Sequence, residues 1–186
     1  MTETTEQKQL SGEVADPCVM VIFGAAGDLT KRKLIPALYN LSQSNLLSRE
    51  FAVIGVGRDE FTTESWRQQI NDHAKEYATG ELDPGLWDWF QHRLYYVQGE
   101  FGDAATFQRL REQLDATNQG HNTHGNYLYY LATPPMFFAT IVKQLGEAGL
   151  VKEEGGKWRR VIIEKPFGRD LESAQALNAD ICTTLA

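Results

Sequence analysis

Cys18-Val-Met-Val-Ile-Phe-Gly-Ala-Ala-Gly-Asp-Leu-Thr-Lys-Arg-Lys33 joins an uninterrupted apolar run to a glycine turn and then to a polar segment with helical spacing. Pro17–Phe23 reads as a strand buried on both faces, as in a parallel sheet, because Val19, Met20, Val21, Ile22 and Phe23 have no polar interruption. The Gly24–Gly27 turn then leads into a helix expected over Asp28–Gln43, with Leu34, Leu38 and Leu41 along one face. Pro36 lacks an N–H and crowds the preceding turn, so a kink or a late helix start is expected there.

The same alternation continues outward. Strands are expected at Phe51–Gly57, Leu94–Val97, Asn126–Ala132 and Trp158–Glu164. Helices are expected at Thr62–Ala78 and Pro84–His92, packed through Trp66, Trp87, Trp89 and Phe90. Further helices are expected at Asp103–Asn118, capped by Asp103, at Met136–Ala148 after Pro134-Pro135, and from an Asp170 cap to the end of the sequence. Gly120–Gly125 and Glu153–Lys157 read as surface loops. Short apolar strands joined by helical crossovers call for an α/β fold, a doubly wound and mostly parallel sheet with helices on both faces. Loops leaving the strand ends then gather at one edge, where such sheets bind ligands. Those loops are Gly24–Lys31, Gly57–Glu60, Ala132–Met136 and Glu164–Arg169.

Composition narrows the function. The net charge of −7 argues against a nucleic-acid surface and against an anionic membrane partner. No apolar run reaches the length of a membrane span. Residues 1–16 are mostly polar, lack a signal-peptide pattern and read as a flexible tail ahead of a single domain at 17–186. Cys18 opens a buried strand, which favours a packed free thiol over a disulfide with Cys182 and suits a reducing, cytoplasmic setting.

Glycine lets the backbone turn tightly and lets a phosphate approach without a β-carbon in the way, while the following helix offers free N–H groups and partial positive charge. Placed after the first strand of a βαβ unit, this turn points to a dinucleotide. Lys31, Arg32 and Lys33 add charge one turn on, though for Arg32 and Lys33 a solvated face is an equal reading. After the second strand, a carboxylate holding ribose hydroxyls is usual for NAD. Here the first charged residue is Arg58, which favours the 2′-phosphate of NADP. Asp59 and Glu60 follow at once, which leaves room for some NAD use and for Arg58 as a surface residue paired with Asp59.

The segments Gly-Asp-Leu-Thr-Lys-Arg-Lys-Leu (27–34) and Glu-Lys-Pro-Phe-Gly-Arg-Asp (164–170), with Gln98-Gly-Glu-Phe-Gly-Asp103 and Tyr-Leu-Ala-Thr-Pro-Pro (130–135), resemble glucose-6-phosphate dehydrogenase over Val19–Ala186. The resemblance implies a Rossmann dinucleotide-binding domain. It implies a cofactor site of Gly24, Ala25, Ala26, Gly27, Asp28, Leu29, Thr30, Lys31, Arg58 and Lys165. Lys165 would also contact the sugar phosphate, and the peptide bond before Pro166 would help to place it. The implied enzyme oxidises glucose 6-phosphate at C1 to 6-phosphogluconolactone with NADP, the first step of the oxidative pentose phosphate pathway, and works as a homo-oligomer.

Three departures stand out. Many members carry Ser or Thr where this sequence has Ala26, and some carry Tyr where it has Phe138. The family's Arg-Ile-Asp-His-Tyr-Leu-Gly-Lys motif is missing, and with it the substrate domain and its general-base histidine. Some of the exposed end of the sheet is therefore expected to be apolar or poorly ordered.

Oxidation at C1 needs a base for the hydroxyl proton. His73 and His92 fall in helical stretches, and His121 and His124 in a Gly/Asn loop, so none is a candidate base and no metal site is expected. Glu164 reads as a residue that holds its turn. The expected chain therefore binds cofactor and contains no catalytic residue. Two other readings remain: a domain of the glucose-fructose oxidoreductase type, and a non-catalytic nucleotide-binding module.

Overall fold

The computed structural model describes residues 12–77, 81–164 and 171–185. Its centre is a five-stranded sheet in the order β3-β2-β1-β4-β5, every neighbouring pair parallel. The strands are β1 Val19–Phe23, β2 Ala52–Gly57, β3 Leu94–Gln98, β4 Tyr127–Leu131 and β5 Arg159–Ile163. Helices α1 Ile35–Gln43, α2 Thr63–Tyr77 and α3 Pro84–Gln91 connect the β1–β2–β3 half. Helices α4 Ala104–His121, α5 Phe138–Glu147 and α6 Leu171–Leu185 follow β3, β4 and β5. All these elements are expected from the sequence, with ends that differ by at most three residues except at the start of α1, expected at Asp28 and found at Ile35. Asp103 caps α4 as expected, accepting from the Ala105 N–H at 3.0 Å. Asp170 lies outside the described residues, as do residues 1–11 of the expected tail; Ala15 donates its N–H to the Leu46 carbonyl at 2.9 Å.

Two cores sandwich the sheet. Side chains alternate across a strand, so Met20 and Ile22 pack on one side with Ile35, Leu38, Trp66, Trp87 and Phe90. Val19, Val21 and Phe23 pack on the other with Phe107, Leu110, Leu114, Ile141 and Leu145. Every residue of β1 and β2 is buried.

Four local readings need correction. In the first helix the regular α-helix does start late, at Ile35 with Pro36 in its first turn, but helical structure already begins at Asp28 and widens into a π turn at Thr30–Leu34, where the Ile35 N–H reaches back to the Thr30 carbonyl. That extra residue in the turn accommodates a proline with no N–H to give. It also changes the phase of the helix, so the buried face is Ile35, Leu38, Tyr39 and Ser42, while Leu41 is exposed. Gly120–Gly125 is not simply a surface loop. The α4 helix runs to His121, and Thr123 is buried beneath Asn118, whose Oδ1 accepts from the Thr123 hydroxyl and the Gly125 N–H. The Met136–Ala148 helix starts with a short 3₁₀ turn, Pro135–Phe137, which leaves Met136 exposed. Finally, β5 is not covered on both faces: Arg160 and Ile162 are exposed.

The two sheet edges are built differently. On β3 the outward groups are taken by side chains. Arg67 Nε donates to the Leu94 carbonyl at 2.7 Å, the Tyr96 N–H donates to Thr63 Oγ1 at 3.1 Å, and Arg109 Nη2 donates to the Gln98 carbonyl at 2.9 Å. Such capping denies the edge to another strand. On β5, Glu153 accepts from the Arg159 N–H at 2.7 Å.

The exit of β1 is the tightest point. Gly24 has φ +89°, and a β-carbon there would lie 2.4 Å from the Ala132 carbonyl oxygen at the end of β4. Gly24→Ala is therefore expected to destabilise the fold by about 2–4 kcal/mol, from the left-handed backbone and the clash together. Urea unfolding followed by circular dichroism measures this, and a loss below about 0.5 kcal/mol would mean that the turn relaxes freely.

Burial pushes the Cys18 thiol up to about 12, with the charge of Asp16 adding to the effect, whereas Cys182 is exposed. Because the thiolate is the reactive species, Cys182 should react promptly with an aromatic disulfide reagent in the native chain, and Cys18 only after denaturant is added. Prompt native labelling of both thiols would show that β1 opens locally.

Candidate functional site

The C-terminal ends of the three central strands lie level, Phe23 pairing with Val56 on one side and with Leu131 on the other. The Gly24–Gly27 turn is fixed from both sides. The N–H groups of Gly24 and Ala25 both donate to the Val56 carbonyl, at 2.9 and 3.2 Å, and the Gly27 N–H donates to Gly24 at 3.0 Å. Gly24, Ala25 and Gly27 therefore shape the turn with their amides. The missing β-carbon of Gly24 makes room for the Ala132 carbonyl rather than for a ligand. Ala25 and Thr30 are fully buried; the Thr30 hydroxyl donates to the Gly24 carbonyl at 3.1 Å, and Trp66 Nε1 donates to the Ala25 carbonyl at 3.4 Å. Their part in any binding runs through the shape of the turn.

The first backbone bond closing this helix is Lys31 N–H to the Gly27 carbonyl at 3.2 Å. The N–H groups of Asp28, Leu29 and Thr30 thus belong to the opening turn, where helix geometry supplies no intrahelical carbonyl. Gly27 and Asp28 are exposed and Ala26 is half-buried. Leu29 packs against the core. Lys31 lies with Ile35, Tyr39, Ile70 and Trp87 around a shallow crevice, on the flank of the helix. Asp28 Oδ1 lies 3.8 Å from Arg32 Nε, and Arg32 and Lys33 are exposed.

Beyond β2, Arg58 is exposed and forms no ion pair with Asp59 among the described residues. Its guanidinium carbon lies 6.0 Å from the centre of the Phe137 ring. Phe137 meets Phe101 edge-on at 5.5 Å, and Phe101 meets Phe23 edge-on at 6.1 Å. Side chains from the ends of β1, β2, β3 and β4 are thereby linked along one edge. Beside them Thr133 touches the Gly24 position, and its buried Oγ1 has no hydrogen-bond partner among the described residues.

At the end of β5, the Glu164 carboxylate accepts a short hydrogen bond from the Tyr130 hydroxyl. Burial, with the bond to Glu164 and its charge, pushes the Tyr130 phenol up to about 12. It stays a donor at neutral pH and joins the ends of β4 and β5. Lys165 and Pro166 lie outside the described residues.

The histidines sit toward the opposite edge. His92 precedes β3, His121 closes α4, His124 precedes β4, and His73 is late in α2. His121 is hydrogen-bonded to the Tyr95 hydroxyl at 2.7 Å; burial, then the charges of Arg93 and Arg67, hold its pKa below the usual value. His124 lies 3.7 Å from Glu50. Among the described residues no metal-binding cluster occurs, and no helix is long and apolar enough to cross a membrane.

Two positions look different in three dimensions. Phe138 is buried in the core on the α5 side, so a tyrosine hydroxyl there would point into packing and not at a ligand. Phe137 and Thr133 escape the sequence reading; the available signal was the Thr-Pro-Pro break after β4, which has to end in a stiff turn over the sheet edge.

An opening helix turn, an arginine and a buried hydroxyl, both without polar partners among the described residues, share one strand-end edge. This donor-rich, cation-bearing edge fits the phosphates of a dinucleotide. Residues 21–186 match the family model described as glucose-6-phosphate dehydrogenase, NAD binding domain. Glucose-6-phosphate 1-dehydrogenase of Chlamydia pneumoniae is 42% identical over 170 residues, covering 90% of this chain and 33% of that protein. The protein of that name from Aggregatibacter actinomycetemcomitans is 45% identical over 169 residues, with 90% and 33% covered. Among solved structures, the Mycobacterium avium glucose-6-phosphate 1-dehydrogenase has a TM-score of 0.77 at 34% identity over 91% of this chain and 34% of that one. A glucose-6-phosphate dehydrogenase in complex with its substrate glucose-6-phosphate gives 0.78 at 27% identity, with 94% and 36% covered. The chain thus spans about a third of the length of the curated relatives it matches. Its sheet, its glycine turn and this match agree: the chain belongs to the glucose-6-phosphate dehydrogenase NAD-binding-domain family, whose cofactor is a nicotinamide dinucleotide.

Proposed function

We propose that this chain is the NADP-binding part of a glucose-6-phosphate 1-dehydrogenase that oxidises glucose 6-phosphate at C1 to the lactone. The observation that carries the choice of NADP is Arg58, an exposed cation without an acidic partner among the described residues, at the end of β2. That position meets the adenosine ribose in folds of this kind. A carboxylate there would repel a 2′-phosphate; a guanidinium binds it with charge-assisted hydrogen bonds.

The cofactor, when bound, accepts hydride from the sugar carbon. The chain's own residues bind and orient. The amides that open the helix from Asp28 hold the pyrophosphate, and Ala26 and Gly27 leave its approach clear. Tyr130 and Glu164 tie β4 to β5 directly before Lys165, proposed to meet the sugar phosphate and the nicotinamide end. The proton of the C1 hydroxyl goes to a histidine proposed to lie in the part of the relatives that this chain does not span. A cytoplasmic, homo-oligomeric enzyme of the oxidative pentose phosphate pathway, with a polar tail at 1–16 and one cofactor domain at 17–186, completes the proposal.

Arg58→Ala is expected to weaken NADP by about 1.5–3 kcal/mol, the range of a hydrogen bond to a charged group, and to leave NAD nearly unchanged. Ala26→Ser should favour NADP over NAD by about 0.5–1.5 kcal/mol, one added hydrogen bond. Titration calorimetry with both cofactors checks the pair. Equal losses of NAD and NADP in Arg58→Ala would show that Arg58 does not read the 2′-phosphate.

The 186-residue chain alone is expected to bind NADP and to produce no measurable NADPH from saturating glucose 6-phosphate. General-base catalysis is worth about 10²–10⁴-fold and substrate positioning adds to it. NADPH absorbance, read beside a protein extended to the length of the relatives, is the assay. Comparable rates from both would place the base within these residues.

A further inference from the structure

We propose that Phe137 is a positioning residue for cofactor selectivity: its ring holds the Arg58 guanidinium where a 2′-phosphate is read. The inference rests on the NADP reading of Arg58 and adds a residue to it.

Arg58 is a long, flexible side chain on an exposed loop. Left free, it would lose rotamer entropy each time it bound a phosphate. The structure supplies a support. The guanidinium carbon sits 6.0 Å from the Phe137 ring centre, the outer range of a cation–ring attraction, and no carboxylate competes for Arg58 among the described residues.

The ring itself is not free to follow the arginine. Phe137 is half-buried, packs edge-on against buried Phe101 at 5.5 Å, and joins the core beneath α5. Its backbone is set by the 3₁₀ turn Pro135–Phe137, entered through Pro134, where proline fixes φ in advance. A ring held by its packing on Phe101 and a cation beside it form a preorganised pair, which leaves the guanidinium N–H groups for phosphate oxygens. The phenylalanine makes no polar contact of its own, so it discriminates between the two cofactors only through Arg58.

The test is a double-mutant cycle read as the ratio of NADP to NAD affinity, with thermal unfolding recorded on each protein. Phe137→Leu, which keeps apolar bulk and removes the ring, is expected to lower the ratio by about two- to fivefold, the scale of an exposed cation–ring contact. Phe137→Tyr, which keeps the ring, is expected to restore it. In the Arg58→Ala background, Phe137→Leu should change the ratio no further. A Phe137→Leu protein that loses NAD and NADP equally, or whose ratio falls as much without Arg58 as with it, overturns the inference, as does an unchanged ratio while Arg58→Ala lowers it. If Arg58→Ala itself leaves the ratio unchanged, the NADP reading fails and the inference falls with it.

Discussion

The whole binding edge depends on how closely the chain passes between its neighbours as it leaves β1. Two successive amides, Gly24 and Ala25, converge on the single Val56 carbonyl of β2, while the α-carbon of Gly24 faces the Ala132 carbonyl of β4. The approach is possible because neither strand presents a side chain there. Gly55 in β2 is the complement: a β-carbon at that position would meet Ala25 Cβ at 2.6 Å and the Trp66 ring at 2.8 Å. One glycine lets the turn pass the strand end, and the other lets the turn and Trp66 lie on β2. Trp66, fully buried, then holds the Ala25 carbonyl.

That packing divides roles among residues that look alike in a motif. The amides of Gly24, Ala25 and Gly27 and the hydroxyl of Thr30 are engaged inside the protein, so they build the site without facing it. What faces outward is the helix start itself, together with Arg58. The same division separates the two ends of the sheet. At the C-terminal edge, Arg58 has no acidic partner among the described residues, and the amides that open the helix from Asp28 have no intrahelical carbonyl. At the opposite edge, arginines and histidines are committed to structure: Arg93 donates to the carbonyls of Arg49 and Trp89 and lies over the Trp89 ring, while Arg67 closes the β3 edge. Basic residues at that end satisfy carbonyl groups and are poorly placed to hold a ligand as well.

The exposed flank of β5 follows from the same layering. Helices α1, α2 and α3 cover the β1–β2–β3 side of one face, and their reach ends near Leu128 and Tyr130 of β4. Ile162, 39% exposed, and Arg160 stand beyond it. On the other face, Val161 and Ile163 pack with α5 and α6 residues, so β5 is held from one side only.

The order of strands and helices was legible from residue types alone. Contiguous apolar runs, crossover lengths and a glycine turn are local signals, and parallel pairing leaves few topologies open. The same signals marked the strand-end edge, Arg58 and the cap at Asp103. What no local window contains is the contact between segments far apart in the chain. Pro36 announced an irregular helix, but only the folded chain shows a π turn at Thr30–Leu34, with Leu41 exposed and Ile35 buried. Nothing in the local sequence singled out Phe137, which folding brings beside Arg58, 79 positions earlier by their residue numbers. Tyr130 likewise meets Glu164 only because β4 and β5 are neighbours. The sequence by itself determined the class of fold and which loops gather at the candidate site, because these follow from short-range periodicity. The tertiary structure decided which of the motif's amides remain free and what supports the arginine, because those depend on how strand ends from distant segments meet.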